Sequence, residues 1–124
     1  DLPGFRAHSA EARDHVIGRA IATNEEIEEA PESAHVKRTA QELFDPTAFM
    51  VRRSMPWTST AACGLEFVSY CRTLDAFDRM MRRMAGGEDG IVDALFSFSR
   101  PVTGGAYWCP PVARGRLDLA ALGL

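Results

Sequence analysis

The chain has 124 residues, of which 46% are hydrophobic and 25% are charged, and its formal net charge is −3. This length and composition predict one folded domain rather than a disordered segment. The negative net charge gives no support to a nucleic-acid-binding surface. No apolar run reaches the about 18 residues that a membrane-spanning helix requires. We therefore expect neither nucleic acid nor a membrane among the partners of this chain.

The number and spacing of the cysteines indicate the redox state of the compartment in which the chain folds. Cys63, Cys71 and Cys109 are odd in number and lack Cys-x-x-Cys spacing, which argues against a disulfide framework and against a structural zinc site. The sequence also shows no secretory signal pattern at its start. Together these features predict a reducing compartment, the cytoplasm.

The first third of the chain predicts a helix and then an acidic loop. Ser9 is a suitable N-cap for a helix over residues 10–20. The acidic run Asn24–Glu32 is typical of a solvated loop, and a negative rim beside a pocket is the alternative. A short helical turn is expected over Ala40–Phe44, before Asp45-Pro46 interrupts it.

Two strands are predicted next. The run Ala48–Met55 alternates in side-chain character, so Arg52 lies on one face and Arg53 on the other, with Pro56 expected to end the strand. Gly64–Cys71 is the second strand. An arginine facing a core needs an anionic partner, because an unpaired buried charge is costly, and a surface ion pair is the alternative for Arg52.

The second half predicts a strong helix followed by weaker elements. Thr73 is the expected N-cap of a helix over Leu74–Ala85, whose methionines at helical spacing predict a core-facing stripe. Ile91–Phe98 also has helical spacing, and Ala106–Cys109 is expected to form a short strand.

The predicted fold class is α+β, with helices on one face of an antiparallel sheet. A ferredoxin-like unit would contain one more strand before the first helix, so the pattern predicts such a unit lacking its first strand. A three-stranded sheet with an unpaired edge is marginal. We therefore expect the chain to form a homo-oligomer or to associate with a missing N-terminal half.

Four blocks of the sequence carry a family resemblance. They are IGRAIATNEEIEEAPESAHVKR, MVRRSMPW, GLEFVSYCRTLDAFDRMMRRM and DALFSFSRPVTGGAYWCPP, and together they span Val16 to Pro111. In this order they resemble the C-terminal region of dye-decolourising (DyP-type) haem peroxidases. The resemblance implies that residues 1–124 are a haem-binding, ferredoxin-like C-terminal half whose N-terminal half is absent. It also implies haem b as cofactor, with hydrogen peroxide and an organic electron donor as substrates.

The resemblance assigns roles to individual residues. His35 looks like the proximal haem-iron ligand, and a single axial histidine has no spacing signature of its own. Arg52 looks like the distal arginine, whose fixed charge would polarise peroxide. Ser54 is similar in position to an asparagine of many relatives and is the candidate for bonding distal water. Lys37 and Arg38 are candidates for meeting the haem carboxylates, with ordinary surface charges as the alternative.

The sequence departs from the family pattern at two places. The acidic residue that bonds the proximal histidine in many relatives aligns with Ser97, and Asp93, one helical turn away, is the possible substitute. The family's GxxDG motif, whose aspartate serves as the distal acid–base, is expected before the first strand of this half, and no such motif precedes that strand here. The expected function is haem-dependent peroxidase activity. The alternative is a non-catalytic haem-binding or assembly module, or an inactive fragment.

Overall fold

The computed structural model describes residues 2–123, and the first and last residues lie outside that description. The predicted α+β class is confirmed, because helices and antiparallel hairpins alternate along the described chain and form no closed barrel. In chain order the elements are α1 Leu2–Ala7, α2 Ala10–Ile17, α3 His35–Arg38, β1 Val51–Thr58, β2 Cys63–Tyr70, α4 Asp75–Met84, β3 Val112–Ala113 and β4 Arg116–Leu117, with 3-10 turns at Gln41–Leu43, Ala94–Ser97 and Ala120–Leu122.

The largest sheet is the hairpin of β1 and β2. The strands pair antiparallel, with Val51 opposite Tyr70 and Thr58 opposite Cys63. The expectation that Pro56 ends the first strand is wrong, since β1 continues through Thr58. Proline is tolerated there because β1 is an edge strand, with β2 as its one hydrogen-bonded neighbour among the described residues.

The core lies at the base of this hairpin and against α4. Met80 and Met84 of α4 are buried together with Phe44, Ala48 and Met50. The prediction that the methionine stripe faces the core is therefore confirmed. Flexible thioethers suit this position because they fill an irregular gap between a helix and the start of a strand.

Outside its base, the hairpin buries little. Met55 and Trp57 on one face are about half exposed, and so are Leu65 and Phe67 on the other. A two-stranded sheet with large apolar side chains on both faces is marginal by itself in water. Among the described residues, the buried contact of the hairpin with a helix lies at its base, where Met80 and Met84 of α4 pack.

Three predicted elements differ from the structure. Residues 106–109 are not a strand, since no neighbouring strand among the described residues offers them a hydrogen-bonding edge, and Tyr107 is 90% exposed. The helical pattern of Ile91–Phe98 contracts to the 3-10 turn Ala94–Ser97. Helix α2 has the predicted Ser9 cap but ends at Ile17, because Gly18 adopts a left-handed conformation with φ 88°.

A buried arginine joins α3 to the end of α4. Arg38 is 4% exposed and donates to both carboxylate oxygens of Asp89, at 2.7 and 2.9 Å, and to the Arg83 carbonyl at 2.6 Å. Such a two-point guanidinium–carboxylate pair fixes geometry as well as charge. The Arg38–Asp89 pair therefore fixes the position of α3 relative to the turn that follows α4.

This pair predicts an acid-sensitive step in stability. Hydrogen bonds from Arg38, and then from the Ile91 N–H, lower the pKa of Asp89 from 3.8 to about 2. Because the folded-state pKa is depressed, its stabilisation is complete above pH 3.8 and is lost as the pH falls towards about 2. The difference in Tm between the wild type and Asp89→Asn should therefore shrink over that interval. Glu88→Gln is the neighbouring control, and a constant Tm difference between wild type and Asp89→Asn would contradict the prediction.

Candidate functional site

The central feature of the site is a contact between His35 and Asp93. The Nδ1 atom of His35 lies 2.8 Å from Oδ2 of Asp93, which is only 1% exposed. The His35 side chain is 32% exposed. Because Asp93 accepts at Nδ1, the ring carries its proton there, and Nε2 is the nitrogen left for a ligand.

Local backbone structure explains why Asp93 faces His35. Asp93 is the N-cap of the turn Ala94–Ser97, and its Oδ1 accepts a hydrogen bond from the Leu95 N–H at 2.8 Å. Its own N–H donates to the Met84 carbonyl at 2.8 Å, at the end of α4. The next N–H, of Ala94, donates to the Ser33 carbonyl at 2.7 Å, two residues before His35. Both carboxylate oxygens of Asp93, its backbone N–H and the N–H of Ala94 are therefore all hydrogen-bonded.

Ser97 does not have this role. Its hydroxyl donates to the Ala94 carbonyl at 2.7 Å, within its own turn. Asp93, the substitute considered from the sequence, is the residue that meets the histidine. The signal that identifies Asp93 is its cap position, because an aspartate preceding an apolar helical pattern is expected to point its carboxylate at the chain's own backbone.

Arg52 on β1 is held by uncharged acceptors. Its Nη1 donates to the Thr39 carbonyl at 3.1 Å and lies 3.6 Å from the Met80 sulfur. Burial lowers the pKa of Arg52 from its ordinary value, and the charge of Glu42 partly raises it again. Among the described residues no carboxylate is in contact with the Arg52 guanidinium, and the negative charge of Glu42 acts on it without a hydrogen bond.

The other predicted site residues divide into surface and interior positions. Lys37 pairs with Glu32 at 3.1 Å and remains partly exposed. Ser54, two residues after Arg52 on the same face of β1, is exposed opposite Phe67. Arg38 is occupied by Asp89, so the structure gives it an internal partner in place of a ligand carboxylate.

A cleft of about 310 Å³ brings Lys37 and Arg52 together. Thr39 and Glu42 also line it, and Arg19 and Glu26 form an ion pair at its margin. Glu26 belongs to the acidic run Asn24–Glu32, so the cleft does have an acidic residue from that run on its wall. The cleft wall therefore combines three cationic side chains, of Arg19, Lys37 and Arg52, with the carboxylates of Glu26 and Glu42.

Two features of residues 2–123 limit the kinds of site that this part of the chain can form. No group of three or more His, Cys, Asp or Glu side chains is placed to hold a metal ion in this part of the chain. A single axial histidine needs no such group. No helix in the described range is long and apolar enough to cross a membrane.

Comparison with known proteins gives consistent matches. The family model "Dyp-type peroxidase, C-terminal" matches residues 1–114. A dye-decolorizing peroxidase of Mycolicibacterium paratuberculosis is 30% identical over 118 residues, covering 90% of this chain and 33% of the relative.

Solved structures give the same picture. A dye-decolorizing protein from V. cholerae matches with a TM-score of 0.70 and 34% identity, over 78% of this chain and 33% of the other. The encapsulated DyP-type peroxidase from Mycobacterium smegmatis matches with a TM-score of 0.74 and 26% identity, over 85% of this chain and 36% of the other. This likeness confirms the predicted ferredoxin-like α+β class.

The chain spans about a third of the length of these relatives. The matched region is their C-terminal part, in agreement with the family model. The chain thus belongs to the Dyp-type peroxidase family and corresponds to its C-terminal region.

Proposed function

We propose that this chain is the haem-binding part of a peroxidase that reduces hydrogen peroxide and oxidises an organic donor. The observation that carries the proposal is the contact between His35 and the buried carboxylate of Asp93. Histidines that ligate metals nearly always donate their second ring N–H to a carboxylate, carbonyl or water. The His35–Asp93 pair has that arrangement, with a partly exposed ring.

The donor set fits haem b. One axial histidine is enough to hold haem iron, and an anionic partner at Nδ1 makes the ligating nitrogen a stronger donor. Lys37, which lines the cleft beside Arg52, is the better candidate for a haem carboxylate, since Arg38 is already paired with Asp89. When bound, haem would supply the redox chemistry that couples the reduction of hydrogen peroxide to the oxidation of the organic donor.

Arg52 would act on peroxide through its charge. Its contacts are a carbonyl and a thioether, so no carboxylate among the described residues touches the guanidinium, and Glu42 on the cleft wall acts on it only at longer range. Fixed positive charge in a partly desolvated site stabilises negative charge as it develops on the breaking O–O bond. Ser54, on the same face of β1, is the proposed hydrogen-bonding partner for a nearby water.

One observation favours the second candidate, a non-catalytic haem-binding or assembly module. Large apolar side chains remain exposed on both faces of the β1–β2 hairpin. We propose that these faces associate, with a second copy or with a segment corresponding to the remaining two thirds of the relatives. Dye oxidation by peroxide separates the candidates, because a binding module would take up haem without turnover.

The unpaired thiols of Cys63, Cys71 and Cys109 support the cytoplasm as the compartment.

His35→Ala should abolish specific haem uptake. The wild-type chain should give a saturable Soret band on titration with haem, because Nε2 is free to bind iron while Nδ1 is held. His15→Ala is the matched control, since the structure assigns that histidine no place in the site. An equally strong band in His35→Ala would remove His35 as the ligand.

Arg52→Leu should keep haem uptake and slow the reaction with peroxide by roughly 100- to 1,000-fold, the usual cost of removing one electrostatic donor to a developing anion. The neighbouring Arg53→Leu is the control, because Arg53 is exposed on the opposite face of β1 and its guanidinium donates to the Arg52 carbonyl. Stopped-flow measurement of the Soret change would decide the matter. Equal rates in both variants would exclude Arg52 from the chemistry.

Association through the hairpin is testable in solution. Phe67→Ser should weaken self-association, measured by light scattering, because Phe67 is an exposed apolar residue in the middle of β2. Tyr107→Ser removes an aromatic ring that is more exposed and lies outside the hairpin. A monodisperse monomer in the wild type would count against association between copies of this chain.

A further inference from the structure

The structure links the two proposed functional residues through a third that no comparison assigns. Thr39 is the residue immediately after α3, and it is 6% exposed. Its hydroxyl donates to the His35 carbonyl at 2.8 Å, and its backbone N–H donates to the same oxygen at 3.0 Å. On its other side, its carbonyl accepts from Nη1 of Arg52 at 3.1 Å.

We propose that Thr39 is a positioning residue that fixes Arg52 relative to His35. This inference rests on the proposed function for its catalytic meaning, although the contact chain itself does not. The two ends of the chain are a residue at the start of α3 and a residue on β1, which come from different elements of the fold. Thr39 is the one described residue that is hydrogen-bonded to both.

The Thr39 hydroxyl contributes to fixing the direction of the Thr39 carbonyl, which is the acceptor for Arg52. A four-residue helix has few internal hydrogen bonds, so its last turn depends on bonds such as that from the Thr39 hydroxyl to the His35 carbonyl. If the hydroxyl bond is lost, only the Thr39 N–H still bonds the His35 carbonyl, so the last turn is held less firmly and the Thr39 carbonyl becomes a less rigid acceptor for Arg52. Because Arg52 has no carboxylate contact in the described chain, the Thr39 carbonyl and the Met80 sulfur are what orient it.

The arrangement also explains why neutral acceptors are used. A carboxylate at the position of the Thr39 carbonyl would orient Arg52 equally well but would neutralise its charge. A buried carbonyl orients the guanidinium and leaves the positive charge available to an anion in the cleft. Arg52 is thus oriented by neutral acceptors, whereas Arg38 is both oriented and neutralised by the Asp89 carboxylate.

The test uses side-chain nitrogen resonances of the haem-free chain, so it does not depend on the proposed function. Thr39→Val removes the hydroxyl at nearly constant shape, and Thr39→Ser retains it. The Val variant should shift both the His35 ring and the Arg52 guanidinium resonances, whereas Ser should leave both near the wild-type positions. Thr58→Val, at the exposed far end of β1, is the matched control and should shift neither.

A reciprocal variant keeps the proposal testable even if Thr39→Val fails to fold. Arg52→Leu removes the donor to the Thr39 carbonyl, so it should shift the backbone amide resonances at Thr39 and the His35 ring resonances, and Arg53→Leu should not. Unchanged His35 or Arg52 signals in Thr39→Val, or a Ser variant that behaves like Val, would overturn the proposal. If Thr39→Val does not fold, unchanged Thr39 and His35 signals in Arg52→Leu would overturn it.

With haem added, Thr39→Val should also reduce haem affinity about tenfold relative to Thr39→Ser, the usual scale for changing a residue that orients a ligand. Absence of any His35-dependent haem band would defeat the proposed function alone. The resonance shifts would still decide whether Thr39 couples the two residues.

Discussion

The site depends on the burial of one carboxylate. Asp93 is the largest fully buried side chain in the described chain, and a buried charge is tolerated only where its oxygens are satisfied. One oxygen accepts from the Leu95 N–H, and the other meets Nδ1 of His35. The need to satisfy Asp93 therefore fixes the ring orientation of His35. The backbone bond from Ala94 to Ser33 brings the two segments together.

Two arginines near this pair show how the surroundings decide the use of a charge. Arg38 is buried and paired with a carboxylate, so it contributes to the packing of α3 against α4. Arg52 is partly buried and meets a carbonyl and a sulfur, so it has no direct carboxylate partner among the described residues. Both are cations within the same small region of the fold. Of these two arginines, Arg38 has a carboxylate contact and Arg52 has none among the described residues, which is why we propose the chemical role for Arg52.

The sequence predicted local features better than long-range ones. The Ser9 cap, the methionine stripe and the two long strands depend on neighbouring residues, and the structure has them near the predicted positions. The extent of β1 beyond Pro56 and the absence of a strand at 106–109 depend on which strand edges are available. Such edges are set by the whole fold and are not encoded in a short window.

The candidate site residues show the same difference between what a short stretch of sequence predicts and what the whole fold decides. The resemblance pointed to His35 and Arg52, but it could not show that Asp93 faces the histidine, because the position that carries an acidic residue in many relatives aligned with Ser97, one turn away. It could not show that Thr39 lies between the two residues either. A threonine after a four-residue helix has no distinctive pattern, and its importance follows only from the approach of β1 to α3.

We propose that His35 binds haem iron through Nε2 while Asp93 accepts a hydrogen bond from its Nδ1. The most direct measurement is the iron–histidine stretching frequency of the reduced, haem-loaded chain by resonance Raman spectroscopy, compared with that of Asp93→Asn. A carboxylate partner strengthens the donor nitrogen. The account therefore predicts that the stretch is present in the wild type and moves to lower frequency in the Asn variant. An identical frequency in the two proteins, or no histidine stretch in the wild type, would contradict it.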